Sequence, residues 1–221
     1  MATLTIKPTA AGNDVQIKSG DGNTTHATFG DTNNISMSTG SIASAVTGTL
    51  GSGITFPAGH VVKVFSATYT ASHTVGANNS YINVGNGTTG ELNITTDTPN
   101  SQSSKYIIFA SVCHSMQLSG GLQLRLVDGS GTPISQSDAS GNRARTWMGR
   151  GHYSTNASVY NVENTSMNYL WSPNSASAQT IKVQCCGYDA DIFYINRSQT
   201  DSNADWQVRA TSSLTIMEIA G

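Results

Sequence analysis

Charged side chains are scarce in this sequence: Asp, Glu, Lys and Arg together make up 11% of its 221 residues, and the formal net charge is −2. A chain without a global basic field does not attract nucleic acid, so we expect no nucleic-acid partner. Long apolar runs are also missing, and no stretch approaches the roughly 18 residues that a membrane span requires. We therefore expect no membrane partner. The polar positions, dominated by Ser, Thr, Asn and Gly, predict a surface that forms hydrogen bonds but carries little charge.

Cysteine is scarce as well. The three cysteines are Cys113 and the adjacent pair Cys185 and Cys186, which show neither CxxC spacing nor the spacing of a disulfide framework. The first residues, MATLTIKPT, lack the basic region and apolar core of a signal peptide. We expect synthesis in a cytosol and three free thiols.

Residue sets that carry chemistry are also absent from the sequence. Cys113 and His114 are adjacent, and adjacent residues of a strand point to opposite faces, so they cannot share a proton directly. The stretch DSNADW at 201–206 resembles the opening of a calcium loop, but Trp206 stands where that loop needs Gly and Ser212 where it needs Glu. We predict no catalytic residue, no cofactor and no metal site.

Residues 1–50 contain apolar residues in pairs that are two positions apart, with turn sequences such as SGDGN between them. The candidate strand residues are Leu4, Ile6, Val15, Ile17, Ala27, Phe29, Ile35 and Met37, and we predict that all of them except Ala27 serve anchoring and assembly. Spacing of two is typical of strands with one apolar face. These strands are too short and too poor in apolar area to be stable alone, so we expect sister chains or another protein to order them. A disordered polar leader is the alternative, which the regular alternation disfavours.

A boundary follows at residues 51–60, where Gly51, Gly53 and Gly59 loosen the backbone and Pro57 removes a donor. Gly59 permits a positive φ, and the chain is expected to turn here. A buried strand is predicted to begin directly after it, at 61–65. Residues 61–221 are then predicted to form a second domain.

Residues 61–221 contain at least eight strand candidates and no helical spacing. Residues 106–118 begin with apolar side chains on both faces, which predicts a central strand covered on two sides. Leu122, Leu124 and Leu126 alternate with polar residues and are followed by Asp128-Gly129, a hairpin signal. We predict an all-β protein, in which the N-terminal short-strand segment precedes a jelly-roll-like antiparallel β-sandwich. The predicted core residues are Ile108, Val112, Leu124, Val183 and Ile216.

Two further features stand out. Glu218 interrupts an apolar strand, so its carboxylate must be paired, exposed at an edge or placed at an interface, with an exposed edge as the simplest interpretation.

Arg143, Arg145 and Arg150 surround Trp147. Arginines two positions apart on a strand share a face and can bind carboxylates, sugars or a partner's acidic patch, and a solvated sandwich edge is the alternative.

Four segments resemble a known family. They are LTIKPTAAGNDVQIKSGDG at 4–22, GSGITFPAGHVVKV at 51–64, YIIFASVC at 106–113 and DIFYINRSQTDSNADWQVRATSSLTIMEIAG at 191–221. Together they are similar to virion structural proteins of tailed bacteriophages, particularly marine and cyanobacterial ones. The resemblance implies a homotrimeric, non-enzymatic tail-fibre tip, short fibre or head appendage.

The resemblance leaves two functional hypotheses. The first is a trimeric fibre module in the virion that binds other virion proteins and attaches to host-surface glycans. The second is a capsid decoration protein, of the cement or head-fibre type, that binds the shell through its N-terminal segment. A depolymerase is a third and more distant alternative.

Overall fold

The computed structural model describes residues 15–18, 25–29, 35–36, 56–76, 80–85, 90–116, 119–153, 160–188 and 192–221. The chain divides into two compact units, Met1–Ile54 and Thr55–Gly221. All regular structure in the described residues is strand. The strands are β1 Val15–Lys18, β2 Thr25–Phe29, β3 Ile35–Ser36, β4 Val61–Tyr69, β5 His73–Val75, β6 Ile82–Asn83, β7 Asn93–Thr95, β8 Lys105–Met116, β9 Ser119–Asp128, β10 Met148–Tyr153, β11 Glu163–Trp171, β12 Thr180–Tyr188, β13 Phe193–Ile195 and β14 Ser212–Ile219.

The N-terminal unit contains a three-stranded antiparallel sheet in the order β1-β2-β3. Val15 pairs with Phe29, which pairs in turn with Ile35, and Ile17 pairs with Ala27. Four of the predicted assembly residues therefore lie on strands that pair with one another. Leu4, Ile6 and Met37 lie outside the described residues, and the anchoring role of the segment stays a prediction.

The larger unit is built from nested antiparallel strand pairs. β4 pairs with β14, β7 with β12, β8 with β11 and β9 with β10, so the pairing runs from the outermost strands inward. Contacts of β14 with β8 and of β12 with β9 then join these pairs into two sheets, β4-β14-β8-β11 and β7-β12-β9-β10. A long hairpin rolled up in this way is a jelly roll. The predicted all-β sandwich is confirmed.

Three short strands extend these sheets. β13 continues along the β8 edge that β14 leaves, and β5 pairs with β13. β6 pairs with β12 at Gln184 and Cys185, beyond the β7 contact. Among the described residues no helix is long and apolar enough to span a membrane.

The core lies between the inward faces of the two sheets. The five residues predicted to be buried, Ile108, Val112, Leu124, Val183 and Ile216, are all 0% exposed. They belong to one cluster, to which both sheets contribute. Period-two spacing identified them because every second side chain of a strand points to the same face.

Two sequence expectations about burial are wrong. β4 is not a buried strand, because Val61 and Val64 are 51% and 59% exposed. β8 is central within its sheet but covered on one face only, since Phe109 on the other face is 45% exposed. Apolar residues on both faces of a strand show that both could be covered, but within this unit only one sheet face meets the core.

The turn predicted after β9 forms at Asp128, but the connection from β9 to its partner β10 is longer than the tight hairpin that the sequence predicted. Asp128 Oδ1 accepts hydrogen bonds from Ser130 N at 2.9 Å, Ser130 Oγ at 2.7 Å and Thr132 N at 2.8 Å. Burial alone would raise the pKa of the Asp128 carboxyl, but these hydrogen bonds outweigh it and hold that pKa below its usual value. The chain then runs through residues 129–147 before β10 returns beside β9.

Glu218 is paired and buried rather than exposed at an edge. β14 lies between β4 and β8, and the Glu218 side chain on its inward face is 0% exposed. Its Oε1 accepts hydrogen bonds from Asn100 N at 2.5 Å and Ser104 Oγ at 2.9 Å, and Oε2 lies 3.8 Å from Lys63 Nζ. Lys63 in turn donates to Thr98 O at 2.6 Å. The carboxylate thus attaches residues 98–104 to the sheet, which is why an acid occurs in an apolar strand.

Candidate binding site

Two of the three arginines predicted to form a binding cluster around Trp147 lie on a loop rather than a strand, and the binding role of the cluster stays a prediction. Arg143 and Arg145 are exposed, but they lie on the connection before β10 and not on a strand, so the expected common strand face is wrong for them. Arg143 Nη1 donates to Ser140 Oγ at 2.6 Å, and Arg145 Nε donates to Ser137 O at 2.8 Å. Both guanidinium groups therefore brace their own loop.

Trp147 packs inward from the same connection. Its ring makes an edge contact with Tyr169, with 5.3 Å between centroids and 70° between planes, and it lies against the core. Its backbone N–H donates to Leu124 O at 3.1 Å. Arg150 lies on β10. Trp147 is thus partly buried and packs against the core, and its predicted role in binding stays a prediction.

Another tryptophan is presented to solvent. Residues 196–211, here called the Trp206 loop, connect β13 to β14, and Trp206 and Val208 on it are 65% and 46% exposed. An indole this exposed is unusual, because Trp is highly buried on average. The loop thus offers a large apolar surface outside the core.

Hydrogen bonds within the loop hold the chain around Trp206. Gln207 bridges back to Ser202: its Nε2 donates to Ser202 Oγ at 2.7 Å and its Oε1 accepts from Ser202 N. Gln207 N also donates to Ala204 O at 3.1 Å. These bonds close residues 202–207 into a compact turn, with Trp206 on its exposed side.

Ion pairs hold the two arms of the loop together. Arg209 binds Asp201 through both carboxylate oxygens, Nε to Oδ1 at 3.0 Å and Nη2 to Oδ2 at 2.6 Å. Arg197 approaches the same carboxylate, with Nε 4.0 Å from Oδ2, and its guanidinium lies 4.0 Å from the centre of the Tyr194 ring. A bidentate Arg–carboxylate pair fixes geometry as well as adding energy. Asp201 stands at the first position of the calcium-like sequence, but its carboxylate binds Arg209.

The base of the loop is fixed by Asn196, which is fully buried and has a φ of 59°. Its Nδ2 donates to Tyr69 O at 2.6 Å and Ala71 O at 3.0 Å, and its Oδ1 accepts from Ser212 Oγ at 2.6 Å. Asn tolerates this left-handed conformation better than most residues, and here its amide also satisfies buried carbonyls. The loop therefore starts from a rigid point on the sandwich.

The comparisons with known proteins give structural neighbours only. No protein-family model matches the sequence, and no curated protein matches it. A structure of infectious bursal disease virus, Gx strain, is similar at 9% identity and a TM-score of 0.35, over 72% of this chain and 37% of that chain. The crystal structure of the infectious bursal disease virus VP2 subviral particle is similar at 10% identity and a TM-score of 0.32, over 72% and 38%. This chain spans less than two fifths of the length of either neighbour.

No cluster of three or more His, Cys, Asp or Glu residues that could hold a metal ion occurs in the described part of the chain. His114 is buried, with Nε2 2.9 Å from Thr165 Oγ1, whereas the neighbouring Cys113 is half-buried on the opposite face of β8. Among the described residues, the Trp206 loop is the candidate recognition surface. Sequence reasoning missed this loop, although an isolated Trp among small polar residues in SNADWQ was a usable signal.

Proposed function

We propose that this chain is a non-enzymatic virion structural protein of a tailed bacteriophage, a trimeric surface appendage or fibre module that attaches the particle to its host. The observation that supports attachment is the braced Trp206 loop on a jelly-roll domain. Jelly rolls are found among viral capsid and lectin domains, and the resemblance in four sequence segments points to phage virions. Because a fold hosts many functions, the proposal depends on the loop more than on the fold.

The loop suits recognition because it is ordered before it binds. A Trp side chain provides large contact area while losing few rotatable bonds, and a pre-organised loop loses little entropy on binding. The bidentate Arg209–Asp201 pair and the Gln207–Ser202 bridge supply this order. Trp206 is therefore the anchor residue of the proposed contact.

The proposed ligand is a host-surface glycan. The indole face of Trp206 offers an apolar surface for a sugar ring, and the exposed polar residues Asn203 and Asp205 precede it in sequence. Such single contacts are weak. Three loops on one trimer would raise the apparent affinity by about 10²–10⁴ through avidity, if the host surface repeats the glycan.

The test is adsorption of labelled full-length protein to host cells, with Trp206→Ala compared against Arg143→Ala. Trp206 is exposed, so its replacement should leave the melting temperature unchanged and reduce adsorption at least tenfold. Arg143→Ala alters a different exposed loop and should adsorb like the wild type. If Trp206→Ala adsorbs normally, attachment through this loop is rejected. If only Arg143→Ala is defective, the arginine cluster first indicated by sequence becomes the site.

Capsid decoration is the second candidate, and the separate compact unit Met1–Ile54 favours it. In both candidates we propose that residues 1–50 are the anchoring and assembly element, with Val15, Ile17, Phe29 and Ile35 on its paired strands. Antibody labelling of intact particles in electron microscopy separates the two, since label on the head rejects the fibre and label on the tail rejects decoration. Protein lacking residues 1–50 should no longer join particles that lack the native copy.

A further inference from the structure

The outward face of the β4-β14-β8-β11 sheet carries an unbroken apolar row. Strand register aligns Val64 with Met217, Met217 with Ile107, and Ile107 with Leu170, so one apolar residue comes from each of the four strands. Val64 and Leu170, at the two ends of the row, are 59% and 53% exposed. Directly opposite residues of antiparallel strands lie within contact distance, so the row is one continuous surface.

Further apolar residues widen this row into a patch, here called the outer patch. On one side Ile219 pairs with Val61, which is 51% exposed, and on the other side Phe109 is 45% exposed. The face becomes polar in the row of Phe109, where Thr215 pairs with Ser66 and with Phe109, and Phe109 pairs with Asn168. In the next row Ser213 pairs with both Thr68 and Ser111. An apolar centre with a polar margin is the arrangement found in protein interfaces.

The outward face of the opposite sheet, β7-β12-β9-β10, is polar. There Arg125 Nε donates to Gln184 Oε1 at 2.9 Å, and Gln184 Nε2 donates to Asn83 Oδ1 at 2.9 Å. The Arg125 guanidinium also lies 3.7 Å from the centre of the Tyr81 ring, and Tyr81 OH donates to Gln123 Oε1 at 2.9 Å. One face of the sandwich is thus a hydrogen-bonded polar network. The apolar composition of the other face is specific to that face.

We propose that the outer patch is a contact surface between copies of this chain. The patch residues are uncharged, and Lys105, paired with Ile219, is the charged residue at its margin among the described residues of that face. A surface without charge does not select a partner of either sign, whereas depletion of charge at the centre is typical of homo-oligomer interfaces.

The area of this sheet face is compatible with contact to a second copy of the chain. The whole outward face, with its polar end as the margin of the contact, covers roughly 500 Å² in flat projection, from four strands about 4.8 Å apart and about eight residues of 3.4 Å each. The accessible surface of a corrugated face exceeds its projection, and a standard interface buries about 800 Å² on each partner. One sheet face against a second copy therefore approaches what a stable contact needs. The inference rests on the oligomer of the proposed function and assigns part of its interface to the sandwich.

The experiment compares full-length wild type with Val64→Lys and Leu170→Lys, using Thr68→Lys as the control. All three positions are exposed on the same face, but Thr68 lies at its polar end. Mass is measured by light scattering over a dilution series, and folding is checked by circular dichroism. A buried, unpaired ammonium opposes association, so each patch variant should dissociate at about tenfold or more higher concentration than wild type and Thr68→Lys.

The outcomes separate this inference from the proposed function. An oligomeric wild type with patch variants that dissociate at the same concentration overturns the outer patch as an interface, while the oligomer itself survives. Equal weakening by Thr68→Lys also overturns it, because the effect would then not depend on the apolar row. A monomeric wild type overturns both the patch contact and the trimer. Adsorption to host cells, measured on the same samples, tests attachment independently.

Discussion

Replacing Glu218 should destabilise the sandwich more than any other single change at its charged residues. Its fully buried carboxylate accepts two hydrogen bonds, from Asn100 N and Ser104 Oγ, that fasten residues 98–104 to the sheet. Hydrogen bonds to a charged group contribute about 1.5–3 kcal/mol each, and their donors are left unsatisfied when the acceptor is removed. We therefore expect Glu218→Ala to lower the free energy of unfolding by roughly 3–5 kcal/mol.

Two matched variants divide this loss between the hydrogen bonds and the ion pair. Glu218→Gln keeps an acceptor oxygen but removes the charge, and should cost about 1–2 kcal/mol. Lys63→Met removes the ion-pair partner, whose side chain is 34% exposed, together with its hydrogen bond to Thr98 O, and should cost about 1–2 kcal/mol. A loss for Glu218→Ala that exceeds the losses for both other variants is the signature of a carboxylate that acts mainly as a hydrogen-bond acceptor.

The assay is urea unfolding of the full-length protein, followed by circular dichroism, with thermal melts in parallel. A change in midpoint at constant slope measures stability without altered compactness. For a chain of this size each 1 kcal/mol shifts the melting temperature by about 2–4 °C, so Glu218→Ala should melt roughly 6–20 °C lower. The reasoning would be refuted if Glu218→Ala lowered the free energy of unfolding by less than about 1 kcal/mol, or if Lys63→Met lowered it by more than Glu218→Ala does.

Three other outcomes are expected. Leu124→Ala should cost about 2–5 kcal/mol in the same urea assay, because Leu124 is 0% exposed in the core, and an unchanged midpoint would contradict its assignment. Asp128→Asn should be less stable than wild type at pH 6, and the difference should shrink below about pH 4. This follows because the lowered pKa of Asp128 stabilises the fold above its unfolded value, and that stabilisation is lost as pH falls through the folded value. All three cysteines should be free: Cys113 should react with a thiol reagent in the native state, and Cys185 and Cys186 only after unfolding, because burial raises both of their pKa values. Mass spectrometry of alkylated, unreduced protein that finds fewer than three modified thiols would contradict this.

Sequence reasoning located the strands and the core but not the surfaces. Leu124 and Ile216 were identified as core residues because period-two spacing of apolar side chains indicates the apolar face of a strand. The same spacing could not tell that Val64 faces outward, since alternation shows an apolar face but not what covers it. The covering depends on which strands pair, and β4 pairs with a strand that lies more than 140 residues further along the chain.

The two tryptophans illustrate a second limit. Trp147 and Trp206 both stand near arginines in sequence, yet one packs on Tyr169 and the other is 65% exposed. What separates them is the Asp201–Arg209 pair, which joins two arms of a loop across eight residues. Local composition does not encode such a contact, because its geometry is set by the strands at both ends of the loop.

The position of β14 has a consequence for biosynthesis. β14 lies between β4 and β8 in the sheet, although β4 ends at Tyr69 and β14 ends at Ile219. At about 5–20 residues per second, a ribosome needs roughly 8–30 seconds to travel from the end of one strand to the end of the other. Until then β4 has no neighbour on the side where β14 will pair. The sheet must therefore close late, after the intervening strands have been synthesised, and pairing between strands so distant in sequence is expected to be slow.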